Sequence, residues 1–599
     1  MLILRSKQLY MTDSTEKRNA FDLNLYHSLV RIEAQILDFN WVEPFNSNHH
    51  GSGIGTGFFI NKNGYILTCA HVVLQSIKIW VSIPAFGKDK VEAEIISVYP
   101  EKDIALLRIV DKSSKLIKHG KIPHLELDDS DKLLFGKQVN AVGYPLGQDK
   151  LKITTGIISG YQDGLIQTDA PLNSGNSGGP LLLDGKVIGI NSAAYKNESV
   201  DNVGLAIPIN EYKIVQDIML EKKEKIIYKP HLGIKFHNIE ENMLKHHNNS
   251  KECNSGIYVQ KIFKTSPLNK INIKEGDIIC RINDFDIDNH GETNVKWNYE
   301  KIAISEVLNR LAPYKQVNIT YWSVKNQRFR KEKTTLYPTN KLVKIMPLIP
   351  FLHKIDYVVF AGLIFMNLAL NHASSIEELE KYREIKNRFE DKLIVTNILT
   401  GSYAKKIDII QQGDIITEVN GSKVSNIKEL NKALCKPILK NGGKFISIKT
   451  ESNKMFINSL DNILEEERFL ADNFGYKLSN VHHKYNIKVS THKNNNMQLL
   501  ENDNGDNGDS GDNGDENENK DVDGKNVVIN NLQLTKIHKN TVKVIKSEQK
   551  RKNSKNSKRS KRSKKNSRKS KKNKSKKFLS YRRSNRNKIA NSIKSITLK

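Results

Sequence analysis

The chain has 599 residues, too many for one hydrophobic core, so a single small domain is excluded and three to four units with tails are expected. Its formal net charge is +29, but 25 Lys and Arg against one acid, Glu548, fall between Lys543 and Lys599. The remainder is close to neutral, and the electrostatic partner-binding signal belongs to the tail. Four cysteines (Cys69, Cys253, Cys280, Cys435) show no CxxC spacing, which argues against a disulfide framework or a zinc site and fits a reducing compartment.

Residues 1–24 are polar, and Met1-Leu-Ile-Leu offers too short an apolar run for a secretory leader. From 25 to 222 the pattern is short alternating or apolar runs between turn residues, such as Thr56–Ile60, Gly64–Thr68, Ile104–Ile109, Gln138–Gly143 and Lys186–Ile190. Many short strands at this spacing predict a mainly β barrel or sandwich, with Asn210 capping a helix that runs to about Lys223. Residues 229–338 read as a mixed α/β unit: a capped short helix at Ser266-Pro267, the turn-and-strand Ile273–Asn283, a helix over 301–311 and a strand over 317–322. Residues 350–480 repeat that order loosely, with Ile409–Gly421 matching Ile273–Asn283 and a helix at Ile427–Leu434. The apolar run Tyr357–Leu370 is too short to span a bilayer and reads as buried strand, so no membrane span is expected. Residues 481–542 form a polar linker with ten acids between Glu501 and Gly524, and 543–599 form a disordered polybasic tail.

Three stretches carry chemistry. Gly175-Asn176-Ser177-Gly178-Gly179 places a serine where backbone N–H groups can converge, although a glycine-rich turn would explain that stretch by itself. His71 follows a strand directly in Thr68-Cys-Ala-His-Val-Val73, and Asp103 opens the apolar strand Asp103–Leu107. Serine is not nucleophilic at neutral pH without a base, and the base needs a partner to fix its tautomer. The chain order His71, Asp103, Ser177 is that of double β-barrel serine proteases rather than α/β-hydrolases.

With Val142–Gly147, Ile166–Pro171 and Val203–Pro208, these motifs resemble the HtrA/Deg family of serine proteases, and the two following units are similar to its PDZ domains. The layout, with Val359–Phe365 in a divergent second unit, looks closest to the plant-type Deg proteases. The resemblance implies a chymotrypsin-like double β-barrel followed by two α/β PDZ-like domains. In it Ser177 attacks, His71 is base then acid, Asp103 orients it, and the N–H groups of Gly175 and Ser177 form an oxyanion hole. No metal or cofactor is implied. Pro171 stands six residues before Ser177, where trypsin-like enzymes carry the acid that selects Lys or Arg, and Gly204, Leu205 and Ala206 add no charge. Cleavage after small or medium aliphatic residues is expected.

The turn His231-Leu232-Gly233-Ile234 is the expected carboxylate loop of the first PDZ-like unit, and the second unit shows no comparable loop. The family loop that relays PDZ occupancy is shortened to Tyr161–Gly164, which puts that relay in doubt. Expected partners are unfolded or C-terminally tagged proteins. Sequence-nonspecific nucleic acid or acidic surfaces are expected at 543–599, and a homo-trimer by family analogy. The setting is expected to be intracellular, in cytoplasm or nucleus. The competing reading is a PDZ-based chaperone or scaffold with little proteolysis.

Overall fold

Short runs in which alternate side chains are buried close into two six-stranded antiparallel barrels. The first consists of β1 (Leu29–Asp38), β2 (His49–Phe59), β3 (Tyr65–Cys69), β4 (Ser76–Ser82), β5 (Lys90–Tyr99) and β6 (Ile104–Ile109), paired in the order β1-β2-β3-β6-β5-β4. The second consists of β7 (Gln138–Gly143), β8 (Lys152–Gln162), β9 (Leu165–Thr168), β10 (Pro180–Leu183), β11 (Lys186–Asn197) and β12 (Val200–Pro208), in the order β10-β11-β12-β9-β8-β7. β5 shows the cause locally: Val91 and Ala93 point inward between exposed Lys90, Glu92 and Glu94. Closure removes free edges, and burying each Leu, Ile or Phe contributes about 1.5–3 kcal/mol before entropy is counted. The computed structural model describes residues 23–485 apart from 47–48, 85–86, 111–121, 198–199, 222–223 and 248–252. The expectations for residues 1–22, the acidic linker and the basic tail lie outside the described residues.

A helix, Ile209–Leu220, follows the second barrel. Its cap position is Pro208 rather than the expected Asn210, whose amide instead donates to Asp129 Oδ1 at 2.8 Å. Next comes a sheet of antiparallel strands Ile234–Asn238, Ile257–Ile262, Ile278–Ile282, Gln316–Ser323 and Arg328–Thr335, with Ile234–Asn238 at its edge. Ser266 caps a 3-10 turn as expected, its Oγ accepting from Leu268 N at 3.1 Å. The helix expected over 301–311 is only Ile304–Asn309, because Ile302–Ala303 pair with Glu292–Thr293.

The last unit orders its strands Tyr357–Phe360, Leu363–Asn367, Leu393–Ile398, Ile415–Val419, Gly443–Thr450 and Ile438–Lys440, with helix Ile427–Leu434 where the sequence predicted it. The apolar run Tyr357–Leu370 is therefore not one strand. Ala361 (φ 53°) and Gly362 (φ 76°) turn it into a tight hairpin, since both take the left-handed conformation that two-residue hairpin turns need.

That turn corrects a second expectation. Gly362 N-terminal to Leu363–Asn367 sits as Gly233 does before Ile234–Asn238. A Cβ on Gly233 would meet Ser266, and one on Gly362 would meet Ser402, each serine capping the next helix. The second unit thus has a loop equivalent to His231–Ile234. The sequence hid it because Phe360-Ala361-Gly362-Leu363 shares only the glycine and its apolar neighbour. The two units differ at the sheet edge: Leu363–Asn367 is already paired on its outer side by Tyr357–Phe360.

The cysteines correct a third. Cys253 and Cys280 are joined as a disulfide, with Cα atoms 5.6 Å apart, in a buried cluster with Ile239, Leu244 and Trp322. Their separation of 27 residues carries no motif, and the fold brings them together.

Contacts at two places, among others, join the units to the barrels. Arg310, at the end of the Ile304–Asn309 helix, pairs with Asp131 at 2.6 Å and Glu211 at 3.5 Å and lies 4.4 Å over the Trp297 ring. The β1–β2 loop reaches the last unit: Thr396 Oγ1 donates to Val42 O at 2.9 Å, Trp41 meets the His372 ring edge-on, and Phe45 packs on Tyr357 and Tyr476.

Candidate active site

The cleft between the barrels collects the three residues singled out from sequence. His71 lies on the single turn Ala70–Val73 that leaves β3. Asp103 takes a left-handed conformation (φ 57°) just before β6, and its carbonyl accepts the N–H of Ala70 at 3.0 Å. This turn aims the carboxylate back at the histidine. Oδ1 accepts the His71 backbone N–H at 2.8 Å, and Oδ2 accepts the ring Nδ1–H at 2.7 Å. With Nδ1 committed to the carboxylate, Nε2 is the basic nitrogen left to face the cleft.

Charge follows geometry. Loss of hydration pulls the His71 pKa down, but the charge and hydrogen bond of Asp103 outweigh it, so the net shift is upward from the ordinary imidazole value. Burial alone would raise Asp103; the His71 charge and the hydrogen bonds from His71 and Ser192 hold it below the usual carboxylate range. Ser192 is the group that sequence reading missed. Its Oγ donates to Asp103 Oδ2 at 2.8 Å, while its carbonyl accepts from Ser177 Oγ at 2.9 Å. No motif marks it, because it acts from within β11 across 89 positions of chain.

Ser177 therefore rests with its hydroxyl on Ser192, and among the described residues no hydrogen bond joins it to His71. The surrounding loop leaves part of its backbone donor set unpaired within the described residues. The N–H groups of Asn176, Gly178 and Gly179 are spent on the carbonyls of Asn173, Asn191 and Asn176, at 2.9, 2.7 and 3.0 Å. Among the described backbone bonds, those of Gly175 and Ser177 are not spent on the protein. Gly175 (φ 99°) has no room for a Cβ beside Tyr144 O, and Gly178 (φ 86°) none beside Thr68 and Thr56.

Cys69 ends β3 beside this dyad, fully buried, its Sγ donating to Asn191 O at 3.2 Å. Burial, then the Asp103 charge, push its thiol well above the ordinary value.

Of the residues expected to read substrate, Gly204 meets Leu172, which was not among them. A Cβ on Gly204 would lie 3.0 Å from Leu172 Cδ1, a contact that sequence reading did not anticipate. Pro171 is exposed, its carbonyl held by Thr154 Oγ1 at 2.9 Å, while Leu205 is buried and Ala206 belongs to the core of the second barrel. The nearest upstream acid, Asp169, accepts the Ile157 N–H at 2.6 Å. At the first PDZ-like unit Gly233 N–H donates to His231 Nδ1 at 2.6 Å, so a donor expected for a peptide carboxylate is held by the chain's own imidazole. Leu232 and Ile234 are buried beneath it.

A trypsin-like peptidase domain model matches residues 55–190, and a PDZ domain model matches residues 375–436, in the second unit rather than the first. The chain is 33% identical over 277 residues to the serine protease Do-like HtrA of Bacillus subtilis (strain 168), covering 42% of this chain and 59% of that protein. It is 28% identical over 391 residues to a probable periplasmic serine endoprotease DegP-like of Marinomonas sp. (strain MWYL1), covering 64% of this chain and 74% of that one. It thus spans less than two thirds of the Bacillus relative. The solved HtrA-type protease AlgW with tripeptide overlaps 53% of this chain and 95% of its own at 23% identity and a TM-score of 0.40, too loosely to bear on the site. Two closed barrels and a paired histidine and aspartate beside a GNSGG loop accompany these matches: the chain carries a trypsin-like peptidase domain and a PDZ domain and is similar to HtrA- and DegP-like serine endoproteases.

Proposed function

We propose that this chain is an ATP-independent serine endopeptidase of unfolded or C-terminally tagged proteins. Ser177 attacks the scissile carbonyl, His71 Nε2 takes its proton and returns it to the leaving amine, and Asp103 holds the imidazole and offsets its charge. The oxyanion is received by the N–H groups of Gly175 and Ser177. The reading is carried by the 2.7 Å bond between His71 Nδ1 and Asp103 Oδ2, set opposite a serine whose loop leaves those two donors unspent.

Aliphatic residues before the cut are proposed because Pro171 supplies no charge, Asp169 is engaged by Ile157, and Leu172 stands against Gly204. The first PDZ-like unit is proposed to add a peptide strand beside Ile234–Asn238, whereas the second, with its edge already paired, acts as a fixed scaffold closest in layout to plant-type Deg proteases. Binding of 543–599 to phosphates, assembly as a trimer and an intracellular setting are proposals from sequence and family analogy. The Cys253–Cys280 pairing removes the thiol argument for the last of these. Among the described residues no helix is long and apolar enough to cross a membrane.

The resting hydrogen bond of Ser177 to Ser192 favours a second reading, a PDZ-based chaperone or scaffold with little proteolysis. Casein digestion by wild type and Ser177→Ala separates the two. Loss of about 10⁶ in kcat in the variant is expected, the scale of a lost serine nucleophile. No digestion by either protein would leave the scaffold. In peptide profiling, a preference for Arg or Lys before the cut would overturn the aliphatic pocket.

A further inference from the structure

We infer that Thr56 is a positioning residue that grips the peptide following each of the two oxyanion-hole donors, at Gly175 and at Ser177; this rests on the endopeptidase reading above. Thr56 lies in β2 of the first barrel, fully buried, 119 positions before the loop it serves. Its hydroxyl donates to the Gly175 carbonyl at 2.7 Å and accepts the Tyr144 N–H at 3.0 Å. Its backbone N–H donates to the Ser177 carbonyl at 2.9 Å, and its own carbonyl accepts Thr68 Oγ1 at 2.7 Å. Every polar atom of one residue is thereby committed, two of them to the carbonyls of the residues whose N–H groups face the cleft.

The consequence is geometric. The N–H that receives the oxyanion at Gly175 belongs to the peptide preceding it, so the orientation of Gly175 depends on what grips it from both sides. On one side Leu146 N–H holds the Ser174 carbonyl at 2.6 Å, and on the other Thr56 holds the Gly175 carbonyl. Arg31 steadies the Leu146 side by donating to Gly147 O at 3.2 Å. The left-handed Gly175 (φ 99°) is free to swing without these two anchors, because glycine has no Cβ to resist. Donors aimed in advance at the developing charge avoid reorganisation during the reaction, and only such preorganised donors lower the barrier. Thr56 thus ties the first barrel, which holds the base, to the second, which holds the nucleophile.

The test compares wild type, Thr56→Ser and Thr56→Val on a peptide p-nitroanilide with Val before the scissile bond. Thr56→Val keeps the shape and the backbone donor but removes the hydroxyl. Its kcat is expected to fall between about tenfold and 10²-fold, the scale of a small misplacement at a reacting centre, with KM little changed. Inhibition by a peptide aldehyde, which forms the tetrahedral oxyanion, should weaken in parallel, while a cleaved product peptide binds as before. Thr56→Ser keeps the hydroxyl and should retain wild-type kcat. A Thr56→Val kcat within twofold of wild type would overturn the inference, and so would a Thr56→Ser loss as large as that of Thr56→Val, since packing by the methyl would then be responsible. If Thr56→Val does not fold, Thr56→Ser together with the aldehyde decides it. Fluorophosphonate labelling of Ser177 separates the two levels. A wild type that neither labels nor cleaves sinks the endopeptidase reading and this one with it, whereas an active wild type with an unaffected Thr56→Val sinks this one alone.

Discussion

Asp103 works against its own burial. Its carboxylate stays charged because His71 and Ser192 donate to it, and the same charge lifts the His71 pKa. The base acts only when neutral, so kcat/KM should rise with pH and reach half its plateau above the ordinary imidazole value of about 6.5. In Asp103→Asn that support is gone, and kcat should fall by about 10⁴ as the tautomer is lost. A profile already flat at pH 6 would show that another group limits the rate. His71, Asp103 and Ser177 could be named as candidates from the sequence because each sits in a short motif. Ser192 and Thr56 could not be, because they reach the site by hydrogen bonds to residues distant in the chain, from within β11 and β2, where neighbouring residues give no hint of such partners.

At the scale of elements the sequence carried the repeat and the helix Ile427–Leu434, but not the hairpin inside Tyr357–Leu370. Its strands are apolar on both faces, so no alternation marks the turn, and Ala361 gives no warning of a positive φ. Helix Leu460–Phe474 holds a feature that composition also conceals. Glu467 is fully buried, and burial raises its pKa to about 8, offset only in part by Ser479 Oγ at 3.2 Å. His482 lies 3.6 Å away, its own pKa lowered by burial first and by the Arg468 and His483 charges after it. A carboxyl with a raised folded pKa binds its proton more tightly than the unfolded chain does. Between the unfolded value near 4.3 and about 8, stability therefore falls as pH rises, with a slope approaching about 1.4 kcal/mol per pH unit. Glu467→Gln should flatten that dependence in urea melts at pH 5 through 8. An unchanged slope would mean that Glu467 is solvated or ionised throughout.

At the scale of the molecule, the β1–β2 loop is the contact with the longest reach. Trp41 and Phe45 sit near the start of the chain, and their partners His372, Tyr357 and Tyr476 lie in the last unit; the accompanying hydrogen bonds span 354 positions. Truncation before residue 350 should leave both rings in water and red-shift the Trp41 emission, read against Trp80, Trp297 and Trp322 replaced by Phe. An unshifted emission would mean that the loop packs on the barrel alone. On the ribosome the same separation becomes a delay. At about 5–20 residues per second, roughly 20–70 s pass between the emergence of the loop and that of the surface that covers it. Through that interval Trp41 and Phe45 lack the partners His372, Tyr357 and Tyr476, and Trp41 has Phe39 beside it.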